Sequence, residues 1–175
     1  WFPCDDSPSE KALYDIAITA DNPFTVVSNG ILKSRQAKGA VTRWHYQTPE
    51  PMATYLVTVQ IGEFTQTQLG RNTKAWFPTP LAAPVREEFS RQQDMMDFLE
   101  EKFGEYPFFD YGVVVTADTL EIPLEAQGLS IFGANHVRGD HAFERLIVHE
   151  LSHQWFGNAC GISDWDNTCL LYTSL

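Results

Sequence analysis

Two histidines four residues apart, His149 and His153, bracket a glutamate in the run His149-Glu150-Leu151-Ser152-His153. On a helix this spacing puts both imidazoles on one face, about one turn apart. Two neutral imidazoles held this way can reach a single zinc ion from a rigid backbone. Glu150, beside the first ligand, is then free to act as a base on a metal-activated water and to pass the proton towards a leaving amine. The neighbours Leu146, Ile147, Leu151, Trp155 and Phe156 build an apolar helix that would bury the histidines. A buried imidazole needs a partner, and a metal ion supplies one. The chemistry implied is metal-assisted hydrolysis, with one zinc ion on His149 and His153 and with Glu150 as the base.

The elements that must position these residues are legible in outline. The motif helix is predicted to start near Asp140, whose side chain can cap it, and to stop near Gly157. A first helix is predicted over roughly Val85 to Phe103, with Val85, Phe89, Met96, Leu99 and Phe103 near helical spacing and Gly104 as its stop. Val113-Val114-Val115 reads as a buried strand, and Ile122 to Phe132 as an extended segment ending at Gly133. Before these the pattern is β. Ala12 to Ala20 alternates in part, Phe24 to Ser28 precedes a turn at Asn29-Gly30, and Val41 to Tyr46 and Thr54 to Phe64 are further strands, the last at period two. The Pro-rich stretch Pro78-Thr79-Pro80-Leu81-Ala82-Ala83-Pro84 divides the two regimes, so the class expected is α+β with a boundary near residue 78.

Bulk properties exclude several functions. The formal charge of -11 argues against nucleic-acid and anionic-membrane partners, which need a basic surface. No stretch approaches the roughly 18 apolar residues of a membrane-spanning helix. Cys4, Cys160 and Cys169 have no paired short spacing and are read as ordinary thiols. His45, His136 and His141 lack a partner at ligand spacing and are read as surface or structural. Glu121 and Asp118 are placed in loops at a cleft edge, with no role assigned. The chain opens on Trp1-Phe2-Pro3-Cys4 with no targeting segment, so its natural start is expected upstream; a cytoplasmic location is favoured.

The run His149-Glu150-Leu151-Ser152-His153-Gln154-Trp155-Phe156-Gly157-Asn158 resembles the zinc helix of the gluzincin aminopeptidases, of the aminopeptidase N and leukotriene hydrolase type. Trp1-Phe2-Pro3-Cys4, with Asp6, Pro8, Lys11 and Ala12, is similar to the N-terminal β domain of that family. So are Pro51-Met52-Ala53-Thr54-Tyr55-Leu56 and Ile61-Gly62-Glu63-Phe64. The resemblance implies that residues 1-78 are part of an antiparallel β domain, and that 79-167 are the first half of a thermolysin-like catalytic domain. It implies an aminopeptidase acting on peptides with a free N-terminus. It also assigns a substrate-binding role to Glu125, in Ile122-Pro123-Leu124-Glu125-Ala126-Gln127-Gly128-Leu129, where the family's Gly-x-Met-Glu-Asn holds the substrate α-amine. Ile122 and Ala126 depart from that pattern. Gln127 carries an amide but on an extended segment should face away from Glu125. The alternative for Glu125 is a solvated strand-edge carboxylate. Alternatives for the whole are a related gluzincin with endopeptidase or epoxide hydrolase activity, or a non-catalytic scaffold.

In this family a third zinc ligand, a Glu, follows the second His with eighteen residues between, which is position 172 here (153 plus 19); this chain has Tyr172. The segment Cys169-Leu170-Leu171-Tyr172-Thr173-Ser174 is what TGT-CTC-TTA-TAC-ACA-TCT encodes, a string that resembles the mosaic end of a transposon used in sequencing libraries. Residues 168-175 are therefore expected to be a non-native tail, and the chain as written is expected to be inactive.

Overall fold

The computed structural model describes residues 2–167. The N-terminal part is built from short antiparallel pairings. Strand β1 (Lys11–Ala12), β2 (Asp15–Asp21), β3 (Thr25–Ser28), β4 (Ile31–Lys38), β5 (Val41–Gln47), β6 (Met52–Ala53) and β7 (Val59–Gly62) form three sheets, in the orders β1-β6, β2-β5-β4 and β3-β7. Strand β4 carries no apolar alternation, and most of its side chains are exposed. It exists because it pairs along its length with β5, which supplies the buried Trp44 and Tyr46. The period-two run from Thr54 to Phe64 is not one strand. Thr54–Leu56 is a turn of 3-10 helix, β7 follows, and Phe64 opens β8 (Phe64–Gln68) in a different sheet. Asn29 holds this break. Its side-chain amide donates to the Leu56 carbonyl at 3.0 Å and its carbonyl oxygen accepts from the Thr58 N–H at 2.7 Å, so the interrupted backbone stays satisfied.

The second half is a mixed sheet with helices on one face. After β9 (Thr73–Pro78) come α1 (Ala82–Glu88), α2 (Gln92–Phe103), β10 (Tyr111–Val115), β11 (Leu124–Ala126), β12 (Leu129–Phe132) and α3 (Glu144–Ser152). The sheet order is β11-β12-β10-β9-β8, with β10 parallel to both of its neighbours. Every residue of β10 is buried, which is why its valine run shows no alternation. One face packs Phe77, Val85, Phe89, Leu99, Val113, Phe132, Ile147 and Leu151 into the main core. The opposite face packs Val114, Ala126, Leu129 and Ile131 against Val27 of β3. Strands β8 and β9 precede the Pro-rich stretch, so this sheet draws on both sides of residue 78.

Three expected elements differ in detail. The helix over 85–103 is two helices, interrupted where the buried Phe89 turns against Phe132 with ring centroids 5.3 Å apart. Gly104, at φ +92°, does stop the second. The extended segment 122–132 is a hairpin, β11 against β12, folded at Gln127-Gly128 with Gly128 at φ +72°. Finally, α3 starts at Glu144 and not at Asp140. The Asp140 carboxylate is committed locally, accepting from the Ala142 N–H at 3.1 Å. The turn before α3 is secured instead by the fully buried Glu88, whose carboxylate accepts from the N–H groups of Gly139 (2.8 Å), Asp140 (3.3 Å) and Phe143 (3.4 Å).

Candidate metal centre

Helix α3 is amphipathic, with Ile147 and Leu151 in the core, and this fixes the rotation that carries His149 and His153 to one side. Their Nε2 atoms lie 3.0 Å apart. The other ring nitrogen of His153, Nδ1, lies 3.1 Å from the Phe156 carbonyl oxygen. A carbonyl only accepts, so Nδ1 carries the hydrogen and Nε2 presents its lone pair towards His149. The His149 Nε2–H can donate to that lone pair, and a bound cation would take the place of the shared proton. Burial, then the neighbouring His153 and Arg145, push the His149 pKa down, which keeps its imidazole neutral and able to ligate.

Glu150 is buried, and its Oε2 has no hydrogen-bond partner among the described residues. Burial first, and the Glu125 carboxylate second, push its pKa up to about 8. Glu125 stands on β11, at the edge of the mixed sheet, and is half-buried. Ligand atoms of Glu125, Glu150 and His153 all lie within 4.8 Å of one another. The two facing imidazole nitrogens suit one zinc ion as ligands, and the orphaned buried Glu150 oxygen beside them suits a base rather than a further ligand. Of the four residues singled out from the sequence, Glu125, Glu150 and His153 have ligand atoms that meet within 4.8 Å, and His149 lies against this group through its contact with His153. Position 172 lies outside the described residues, as does the tail from Thr168.

The other sequence candidates lie elsewhere. His45 pairs with Asp15 at 2.7 Å on the surface, His141 faces Glu87 at 3.2 Å, and His136 is buried with Nδ1 accepting from the Gly133 N–H at 3.2 Å. Gln127 is not in an extended segment but in the β11–β12 bend. It is buried, and its amide donates to the Pro51 carbonyl at 3.3 Å.

The sequence predicts Trp155 and Phe156 as a continuation of the apolar helix over the histidines; instead α3 ends at Ser152, Phe156 is exposed, and the segment after His153 takes other roles. The carbonyls of His153, Gln154 and Trp155 each accept from the N–H five residues on, so the chain leaves α3 through a wide turn closed by Gly157 at φ +117°. The N-terminal part grips this turn. The Tyr55 hydroxyl donates to the Gly157 carbonyl at 3.0 Å, and Lys11 Nζ donates to the carbonyls of Asn158 (2.8 Å) and Ala159 (3.1 Å). Gln154 and Asn158 are fully buried and bond the hairpin that carries Glu125. The signal for them was faint: two amides inside an otherwise apolar run.

Comparison with known proteins agrees with this picture. Residues 1–56 match the peptidase M1 N-terminal domain, and residues 87–171 match the peptidase family M1 domain. Human aminopeptidase B is 26% identical over 167 residues, covering 94% of this chain and 25% of that protein. Leukotriene A-4 hydrolase of Xenopus laevis is 23% identical, covering 94% of this chain and 28% of that protein. The chain therefore spans about a quarter of the length of these curated relatives. Among solved structures, yeast LTA4 hydrolase superposes with a TM-score of 0.84 at 22% identity, over 97% of this chain and 26% of the other. An M1 zinc metallopeptidase from Deinococcus radiodurans superposes with a TM-score of 0.78 at 25% identity, over 97% and 40%. No helix among the described residues is long and apolar enough to cross a membrane. With both of its domain models matched in order along the chain, and with a zinc donor set where the second one falls, this chain belongs to peptidase family M1.

Proposed function

We propose that this chain is part of a zinc aminopeptidase that removes N-terminal residues from peptides. The observation that carries the reading is the meeting of Glu125 with Glu150 and His153 within 4.8 Å. Bound to His149 and His153, zinc would supply Lewis acidity to a scissile carbonyl and to a water. Glu150 takes the proton of the attacking water and delivers it to the leaving amine, a task suited to a buried carboxylate oxygen with no hydrogen-bond partner among the described residues. Glu125, on the sheet edge, holds the protonated α-amine of the substrate, which restricts cleavage to the first peptide bond. The net charge of -11 on this chain argues against a nucleic-acid partner.

The test uses the complete enzyme with a peptide series in free-amine and N-acetylated forms. Wild type is expected to cleave only the free-amine peptides, and Glu125→Ala to lose kcat/KM on them by about a hundredfold or more, as for a lost charged contact to substrate. Unchanged kcat/KM in the variant would remove the anchor role.

A further inference from the structure

Glu125 stands on a three-residue strand that is the last of its sheet, paired to β12 on one side only. Such a strand has few bonds of its own to fix a carboxylate beside a metal centre. The missing constraint comes from the turn that follows the zinc helix. Gln154 Oε1 accepts from the Gly128 N–H at 2.8 Å, and its Nε2 donates to the Ala126 carbonyl at 3.1 Å. Asn158 Nδ2 donates to the same carbonyl at 3.2 Å. One amide thus bonds both sides of the hairpin bend, at the residue next to Glu125 and at the third after it, and Gln154 is itself the residue next to His153. Both amides are wholly buried, where such bonds are not traded for water.

We propose that Gln154, seconded by Asn158, is the positioning residue that sets the distance between the amine anchor and the metal ligands. The proposal rests on the reading of Glu125 as that anchor. Both ends of the Gln154 amide are engaged by the hairpin. Gln154 acts by locking the β11–β12 bend to the end of the zinc helix, so that Glu125 and His153 move as one body. Without it the helix keeps its histidines and the core its packing, and what loosens is the register of Glu125 against them.

The experiment uses the complete zinc-loaded enzyme and two hydroxamate probes, one with a free α-amine and one identical but lacking it, with affinities read by calorimetry. Glu125→Ala is expected to weaken only the amine-bearing probe. Gln154→Ala, and Gln154→Met, which refills the buried volume, are expected to weaken that probe about tenfold or more, the scale of a misplaced contact group. The probe without the amine should stay within about twofold, because it engages the metal and does not reach the hairpin. Hydrogen exchange at the Gly128 amide of the metal-free protein should speed up by about tenfold, as its acceptor is gone. Equal loss of both probes in the Gln154 variants would overturn the positioning role in favour of general damage to the fold. Failure of Glu125→Ala to discriminate would overturn the anchor, and this proposal with it; discrimination by Glu125→Ala but not by the Gln154 variants would overturn the proposal alone. Should neither Gln154 variant fold, Asn158→Ala removes one of the two donors to Ala126 and carries the same expectation at about threefold.

Discussion

The hydroxyl of Tyr55 donates to the carbonyl of Gly157 across 3.0 Å, joining the N-terminal β part to the turn that leaves the zinc helix. Tyr55 also packs edge-on against Trp165, ring centroids 5.2 Å apart. Removing only the hydroxyl isolates this tie. Tyr55→Phe is expected to lower stability by about 1 kcal/mol, the net value of one part-buried hydrogen bond. Denaturant unfolding of the two proteins checks it, and an unchanged midpoint would show that the tie contributes nothing.

Glu88 belongs to α1 but completes the turn before α3. Glu88→Ala leaves three N–H groups without their acceptor in a buried site and is expected to cost about 3–5 kcal/mol. Glu88→Gln keeps one acceptor oxygen and should cost visibly less. Thermal melts rank the three proteins, and equal Tm values for the two variants would contradict this account of the turn.

His136 gives stability an acid limit. Burial pushes its pKa down, against a smaller upward pull from the Glu121 backbone, and its Nδ1 is occupied as an acceptor from Gly133. A histidine whose folded pKa is depressed stabilises the fold above its unfolded pKa of about 6.5, and that contribution is lost as pH falls below it. Tm of the wild type should therefore decline as pH falls below about 6.5 more steeply than that of His136→Gln. Parallel curves would exclude His136 as the source.

The two histidines of this chain leave a zinc ion short of the three protein ligands a catalytic site normally uses. Expressed as written, the chain is expected to lose zinc on dialysis and to show no peptidase activity. Stoichiometric zinc after dialysis would refute this. Re-amplifying the source gene across codon 168 should replace the tail from Thr168, and a natural tyrosine codon at 172 would end the adapter explanation.

Much of the site was legible because its chemistry is local. His149 and His153 are four residues apart on one helix, so spacing alone fixes their common face, with Glu150 next to the first of them. Val113 to Val115 was legible because total burial leaves a pure apolar run. Strand Ile31–Lys38 was not, since pairing with β5 holds it and its side chains carry no pattern. The start of α3 was misplaced for a related reason: Asp140 has the right chemistry for a cap, but Glu88, some fifty residues earlier, does the bonding. Gln154 escaped because its partners, Ala126 and Gly128, are set by tertiary structure.

Helix α3 runs from Glu144 to Ser152, which places His149 in its last turn and His153 at its C-cap. The peptide dipoles of a helix add to roughly half a negative charge at its carboxyl end. The metal centre is thus built at the anionic pole of its own helix. A dication is drawn there by the aligned backbone as well as by the imidazoles, while an anion is repelled. This selectivity belongs to where the helix stops, and any change that prolonged α3 past His153 would weaken it with every ligand still in place.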